Sequence, residues 1–448
     1  MKKYILPLLI FAATISSCKK FLDVQPKDAI SDELTIVDKA SAQTALRGVY
    51  RSLAGDSYYG NSFQSIGYLG GDNIQWTGSQ SIVQQFIEHK VKADNATVAG
   101  VWSGIYSTIN RANHVIAKVP GVIDATFTDA ERNQLTGEAY FIRALAYFDL
   151  ARAWGGVQIV LTPTLSSADK TGIKRSSTAQ TYAQVLADLT KAESLLALPT
   201  AQNPVRANRE TVWALRARYH LYQKEWALAE TYAAKVLANT NYYQLIKPYG
   251  AFFNPASAIA TKESVFELSY SSTFTNSHRG QWQPPANGGT RQIAPNDAFV
   301  ALVNNATVGG NRNVLVAKTS AGLWYGNLYY RSPATDPAYV IRIAELYLIR
   351  AEARAQLDNT AGALIDLNAV RDRAGLTASL AVTKADVLLA IENERKLEFA
   401  FEPHRWFDLI RTGRAAAVLG LTDATKYVLP VPATELLADK SLEQNEGY

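Results

Sequence analysis

A chain of 448 residues exceeds the size at which one hydrophobic core usually stops growing, so its length calls for two domains or an elongated repeat architecture. An apolar content of 48% excludes disorder, and a formal charge of +5 without any block of Lys/Arg excludes a nucleic-acid footprint. Tyrosine (23) and tryptophan (8) are both plentiful, a composition that often displays some amphipathic rings at a binding surface.

The chain opens with Lys2 and Lys3, an apolar run from Tyr4 to Ile15, and "ISSC" ending at Cys18. This pattern predicts a signal peptide over residues 1–17, too short to span a bilayer. Ile15-Ser16-Ser17-Cys18 resembles the lipobox of bacterial lipoproteins, which makes Cys18, the only cysteine, the expected lipidation site. Residues 18–38 are polar, are interrupted by Pro26, and read as a tether. The expected location is therefore the outer membrane, reached through lipid, with the rest of the chain in solution.

Helical periodicity follows over about 38–53, 96–118, 129–153, 179–197, 208–223, 226–239, 337–357, 360–373 and 384–400. Three of these segments repeat an aromatic followed by Arg-Ala: "YFIRA" from Tyr140, "WALRA" from Trp213 and "YLIRA" from Tyr347. In the second and third copies another alanine comes twelve positions later, Ala217 to Ala229 and Ala351 to Ala363. Large and small residues at this spacing suit helix pairs that cross closely and stack on a neighbour, and the pattern resembles a tetratricopeptide repeat. The expectation for Arg143, Arg216 and Arg350 is that their stems cover the core and their heads reach solvent. The fold class is thus mainly α, with helical repeats over about 39–248 and 337–411.

Two regions interrupt the helices. The first, from Asp56 to Lys92, contains "GGDNIQWTGSQ", which places Asp72, Asn73, Gln75 and Trp76 on a Gly-rich loop. The second, about 249–336, is an excursion rich in Asn, Gly, Ser and aromatics. Its runs "VFELSY" and "LWYGNLYY" suggest a few strands, and it offers Trp282, Asn311, Arg312, Trp324 and Tyr325. Long insertions of this composition usually carry function. Aromatic faces edged by amides and charges suit a sugar ring, whose faces present C–H groups and whose rim presents hydroxyls. The five histidines show no metal-ligand spacing, and no G-x-S-x-G, P-loop or G-x-G-x-x-G occurs, so no metal, cofactor or nucleophile is expected.

The stretch "RKLEFAFEPHRWFDLIRTG" at 395–413 collects Glu398, Glu402, His404, Arg405, Asp408 and Arg411 and has the look of acid/base chemistry. Pro403 divides it into the end of one helix and a short second helix. Spacings of three and four residues let the charges satisfy one another locally, so the segment reads as a closing cap docked on the last repeat.

The lipobox, "GEAYFIRALAYFDLARAWGGVQIVLTPTLS", "YVIRIAELYLIRAEARAQL", "IENERKLEFAFEPHRWFDLIRTG" and the tail "YVLPVPATELLADKSLEQNEGY" together resemble the SusD/RagB family of Bacteroidetes surface lipoproteins, from Cys18 to Tyr448. The resemblance implies a non-catalytic protein without cofactor that binds glycan, or occasionally peptide, and serves a SusC-like TonB-dependent transporter. It also implies ligand contacts in the regions of Asp72, Asn73, Trp76, Trp282 and Trp324. A surface glycoside hydrolase with paired carboxylates and a purely structural repeat scaffold are the alternatives.

Overall fold

The computed structural model describes residues 35–253 and 260–448. The predicted signal segment, Cys18 and most of the tether lie outside the described residues.

In chain order the first half contains α1 (Lys39–Leu53), α2 (Ser62–Leu69), β1 (Ile74–Trp76), α3 (Ser81–Ile87), α4 (Ala96–Lys118), α5 (Asp129–Trp154), α6 (Thr178–Leu195), α7 (Arg209–Tyr222) and α8 (Trp226–Leu237). The excursion adds β2 (Ser264–Leu268), α9 (His278–Trp282), β3 (Ile293–Pro295), α10 (Asp297–Asn304), β4 (Val316–Lys318) and β5 (Trp324–Gly326). β6 (Ala338–Arg342), α11 (Ile343–Gln356), α12 (Thr360–Arg373), α13 (Lys384–Glu398) and α14 (Arg405–Arg411) complete the scaffold, and α15 (Ala415–Leu419) and α16 (Ala433–Ala438) lie in the tail. Several helices begin where a capping box satisfies the first free amides: Asp38 with Ser41, Thr128 with Glu131, Ser177 with Gln180 and Thr383 with Asp386.

The helix pairs α5/α6, α7/α8 and α11/α12 pack against each other, and α8 also packs on α11, so the second and third Arg-Ala repeats stack. Ala144, Ala217, Ala229, Ala351 and Ala363 are all fully buried at these crossings, as the spacing predicts. Ala351→Leu should therefore overpack the α11/α12 contact and cost roughly 1–3 kcal/mol, read as a lower denaturant midpoint.

The repeat arginines differ from expectation. Arg143 sends Nε and Nη2 to Asp188 at 2.8 and 2.7 Å, and Arg350 sends the same pair of nitrogens to Asp366 at 2.9 and 2.7 Å. Arg216 reaches Glu193 at 3.0 Å and also bonds Tyr232. The head groups of Arg143 and Arg216 are buried rather than solvated, because in each repeat the arginine of the first helix latches onto a polar residue of the second.

Residues 338–342 also depart from expectation. Within the predicted helix 337–357 they form β6, antiparallel to β2, with every side chain of both strands buried. The β-branched Val340 and Ile341 suit a strand covered on both faces, and the helix begins only at Ile343. The other two sheets are also antiparallel pairs, β1 with β3 and β4 with β5.

The closing segment breaks at Pro403 as predicted, and its first part, α13, packs on both helices of the last repeat, to which α14 is also tied by the Arg411–Glu352 pair; α14 in addition docks on α2. Phe407 stacks on Phe63 with centroids 5.9 Å apart. Gly67 makes the approach possible, since a Cβ there would lie 2.5 Å from the Pro403 Cα.

Candidate functional site

Two of the tryptophans singled out from the sequence are brought near each other by strand pairing. In β1, Trp76 stands opposite Ile293 of β3, and Thr77 beyond it donates from its amide to the Gln292 carbonyl at 2.8 Å. Thr77 Oγ1 also donates to the Arg291 carbonyl at 2.5 Å. The Arg291 side chain then donates from Nε to the Trp324 carbonyl at 2.7 Å. Arg291 thus ties the Trp76 strand to the Trp324 strand from a backbone φ of +48°, a conformation that costs a non-glycine residue energy and that needs the surrounding bonds to hold it. Sequence reasoning missed Arg291. Its only cue is the flanking "GGTRQ", which says turn and nothing more.

Trp76, Trp324 and Tyr325 are half-buried, so each ring is anchored on one side and partly open. The Trp76 indole lies over Gly78, where a Cβ would come within 2.3 Å of the ring, and its Nε1 is buried without a partner. The β4–β5 register sets Lys318 opposite Trp324 and puts its Nζ 4.4 Å from the ring centroid. Tyr325 sits opposite Ala317, and its hydroxyl makes no hydrogen bond within the described protein. Rings, a free hydroxyl and two cations on short pinned strands can stack on and hydrogen-bond a polyol. They include no nucleophile or acid pair.

The other site candidates have structural work. Trp282 is 1% exposed and packs on Phe401 and Tyr68 at centroid distances of 4.5 and 5.4 Å, so an indole expected as a platform is a core side chain. Arg312 is 0% exposed and donates to Glu398 at 3.0 and 2.8 Å and to Glu394; a guanidinium so paired has no open face for a ligand. Asn73 is 1% exposed, with its amide donating to the Lys396 carbonyl at 3.0 Å. Asp72 receives Lys396 at 2.7 Å and Arg405 at 2.6 Å. Partial burial would raise its pKa, but these two cations prevail and hold the carboxyl below its ordinary range. Asp72 and Asn73 therefore bolt the β1 loop to the closing segment, a positioning role. Asn311 lies against the α12 terminus, its backbone N–H donating to the Ala374 carbonyl at 2.7 Å.

The acid-and-arginine stretch is likewise internal. Arg342 on β6 reaches Glu398 at 2.7 Å, Glu402 at 2.6 Å and Glu263 at 3.0 Å, while Arg373 binds Glu263 and Glu398. Arg395 pairs with Asp408 at 2.7 Å rather than with Glu398. Of the local pairs expected, Asp408 with Arg411 at 2.8 Å is present, and the rest of the neutralisation comes from distant strands and helices. Burial pushes the His404 imidazole down to about 3, so it is neutral and a weak base near pH 7.

His278, buried and stacked on Tyr329 at 4.7 Å, is also pushed down to about 3 by burial. A base depressed in the fold stabilises it fully above its unfolded pKa of 6.5, and that stability drains as pH falls toward 3. Glu267, raised to about 7 by burial, acts in the opposite sense, losing its contribution as pH rises from 4.5 to 7. His278→Leu should therefore flatten the acid-side fall of the melting temperature between about pH 6.5 and 4. An unchanged slope would mean that the imidazole is not held neutral.

Fold and site together define a helical-repeat binding protein with an aromatic surface on a strand-bearing excursion. Two family models match the chain: "SusD family" over residues 304–423 and "Starch-binding associating with outer membrane" over residues 20–221. The chain belongs to the SusD/RagB family. A SusD-like protein of Formosa agariphila is 26% identical, with 98% of each chain covered. A laminarin-binding SusD-like protein shares the fold at a TM-score of 0.79 and 23% identity, covering 92% of this chain and all (100%) of its own. The surface glycan-binding protein A of Bacteroides fluxus does so at 0.78 and 22%, again covering 92% of this chain and 100% of its own.

Proposed function

We propose that this chain is a non-catalytic glycan-binding lipoprotein of the outer-membrane surface that passes oligosaccharide to a SusC-like TonB-dependent transporter. The observation that carries the reading is the half-buried Trp324–Tyr325 pair, with Trp76 beside it, on strands pinned by Arg291. Relatives of the same fold include proteins described as laminarin-binding and surface glycan-binding, and one matching family model is described as starch-binding and associated with the outer membrane. Lipidation at Cys18 supplies the anchor in this reading. The carboxylates of the closing segment are engaged by arginines, which supports binding over hydrolysis.

The test is a panel of soluble glycans, including laminarin and starch oligosaccharides, measured by calorimetry and by product analysis. Saturable binding without released oligosaccharide is expected. Cleavage of any glycan would replace the reading with a hydrolase, and failure to bind any would leave a structural scaffold. For the transporter, co-purification from detergent-solubilised outer membrane is expected to bring down a TonB-dependent barrel.

A further inference from the structure

A cavity of about 590 Å³ lies on the other side of the closing segment, where the α7–α8 turn, the end of α11 and one face each of α13 and α14 meet. Its floor is a chain of ion pairs. Asp408 accepts from Arg395 at 2.7 Å and Arg411 at 2.8 Å, Arg411 continues to Glu352 at 2.6 Å, and Arg414 donates to Glu392 at 2.8 Å. Among the lining residues the cations are Lys224, Arg395, Arg411 and Arg414 and the anions are Glu352, Glu392 and Asp408, four against three, so the cavity carries one uncompensated positive charge. Glu392 is further drawn toward Arg405, 3.4 Å away outside the lining.

The excess sits with Lys224, which has no ion-pair partner among the described residues and occupies the turn at φ +57°, where asparagine or glycine would be easier. Arg395, with a side chain 4% exposed, keeps Nη1 without any hydrogen bond. The lining also includes Trp226, half-buried, and the leucines of α13, of which Leu389 is 47% exposed. The Trp226 indole N–H and the side-chain amide of Gln356 make no hydrogen bond inside the described protein, although the Gln356 backbone carbonyl accepts from Lys384 at 2.8 Å.

We infer that this cavity is a second carbohydrate site, built for a uronic acid residue: the carboxylate goes to Lys224, one sugar face to Trp226, and the hydroxyls to Gln356 and the carboxylate–arginine floor. A single excess charge calls for one anionic group. A flat aromatic wall calls for a ring, and a floor that alternates donors and acceptors suits hydroxyls, which do both. A peptide terminus would satisfy the charge but bring no ring hydroxyls to Arg395 Nη1 and the Gln356 side-chain amide, which have no partners among the described residues. The volume falls within the ordinary range of small-molecule sites, about 300–1,000 Å³. The inference goes beyond the glycan surface at Trp324 and does not depend on it.

Calorimetric titration with digalacturonate and diglucuronate tests it, using the intact chain and the variants Lys224→Gln, Trp226→Ala and Trp324→Ala. The parent should bind at least one uronate saturably. Lys224→Gln should weaken that binding roughly tenfold, the scale of one charge-assisted hydrogen bond. The methyl ester of the same disaccharide should lose a similar factor, and Trp324→Ala should change nothing. Lys224 lies in a turn, and circular dichroism melting checks that its variant stays folded should Trp226→Ala fail to. The inference is overturned by absence of uronate binding in the parent, by binding that survives Lys224→Gln, or by binding lost in Trp324→Ala, which would move the uronate to the strand surface. Binding of an acetylated dipeptide carboxylate in its place would overturn the sugar assignment. Loss of neutral-glycan binding in Trp324→Ala with uronate binding intact would separate the two sites.

Discussion

Arg342→Met is expected to lower the unfolding free energy by about 3–5 kcal/mol, the usual cost of removing one partner from a buried ion-pair network. Arg342 is fully buried and holds three carboxylates, those of Glu263, Glu398 and Glu402. With Arg312, Arg371 and Arg373 against Glu263, Glu394, Glu398 and Glu402, the cluster balances four charges with four. Methionine fills much of the volume but leaves the balance negative. The exposed charges would be costly in a medium that cannot solvate them, although Glu402, whose pKa burial already raises despite Arg342, can take up a proton in part compensation. Chemical denaturation reads the effect. A loss under about 1 kcal/mol would mean that water reaches the cluster and solvates it. The same variant carrying Glu398→Gln should recover part of the loss, because one unpaired carboxylate is gone.

Trp324→Ala is expected to weaken glycan binding by roughly 1–3 kcal/mol with little effect on the fold, the range for a central aromatic anchor. Lys318 lies over this ring and must give way to a stacked sugar. A cation–π contact at an exposed position is worth about 0.5–1 kcal/mol, so Lys318→Ala should leave affinity unchanged or slightly higher. Trp282→Ala makes the contrast, since its indole is packed between Tyr68 and Phe401 and its loss should cost roughly 3–5 kcal/mol of stability. Equal glycan affinity in the parent and Trp324→Ala would move the binding surface elsewhere on the excursion.

Asp72 links these two kinds of effect. Its carboxylate joins the loop that leads to Trp76 with Lys396 and Arg405 of the closing segment. Arg405 also approaches Glu392 on the cavity side, so a single guanidinium stands between the aromatic surface and the cavity.

The helical part of the fold could be read with little help. The Arg-Ala repeats with their alanine partners, the capping boxes and the break at Pro403 are local patterns, and local patterns set helix position and ends whatever the rest of the chain does. Strand β6 was hidden because "AYVIR" has apolar residues on both faces, which gives a strand buried on both sides the same appearance as a helix start. The excursion could be located by composition, and two of its strands by alternation, but no local pattern shows that its strand β3 pairs with β1 across more than two hundred residues.

By itself, the sequence determined where the repeats and their main helices lie and which residue types are available to bind a sugar, because each of these depends on neighbours a few positions away; the short helices α2, α3, α9 and α10, in the two regions read as interruptions, were not legible in it. Only the tertiary structure decided that Trp324 is half-open while Trp282 is enclosed, and that Arg312 belongs to Glu394 and Glu398, 82 and 86 positions along the chain. Burial and charge pairing are properties of surfaces that meet, and no spacing within one segment records which distant surface will cover a ring or neutralise an arginine.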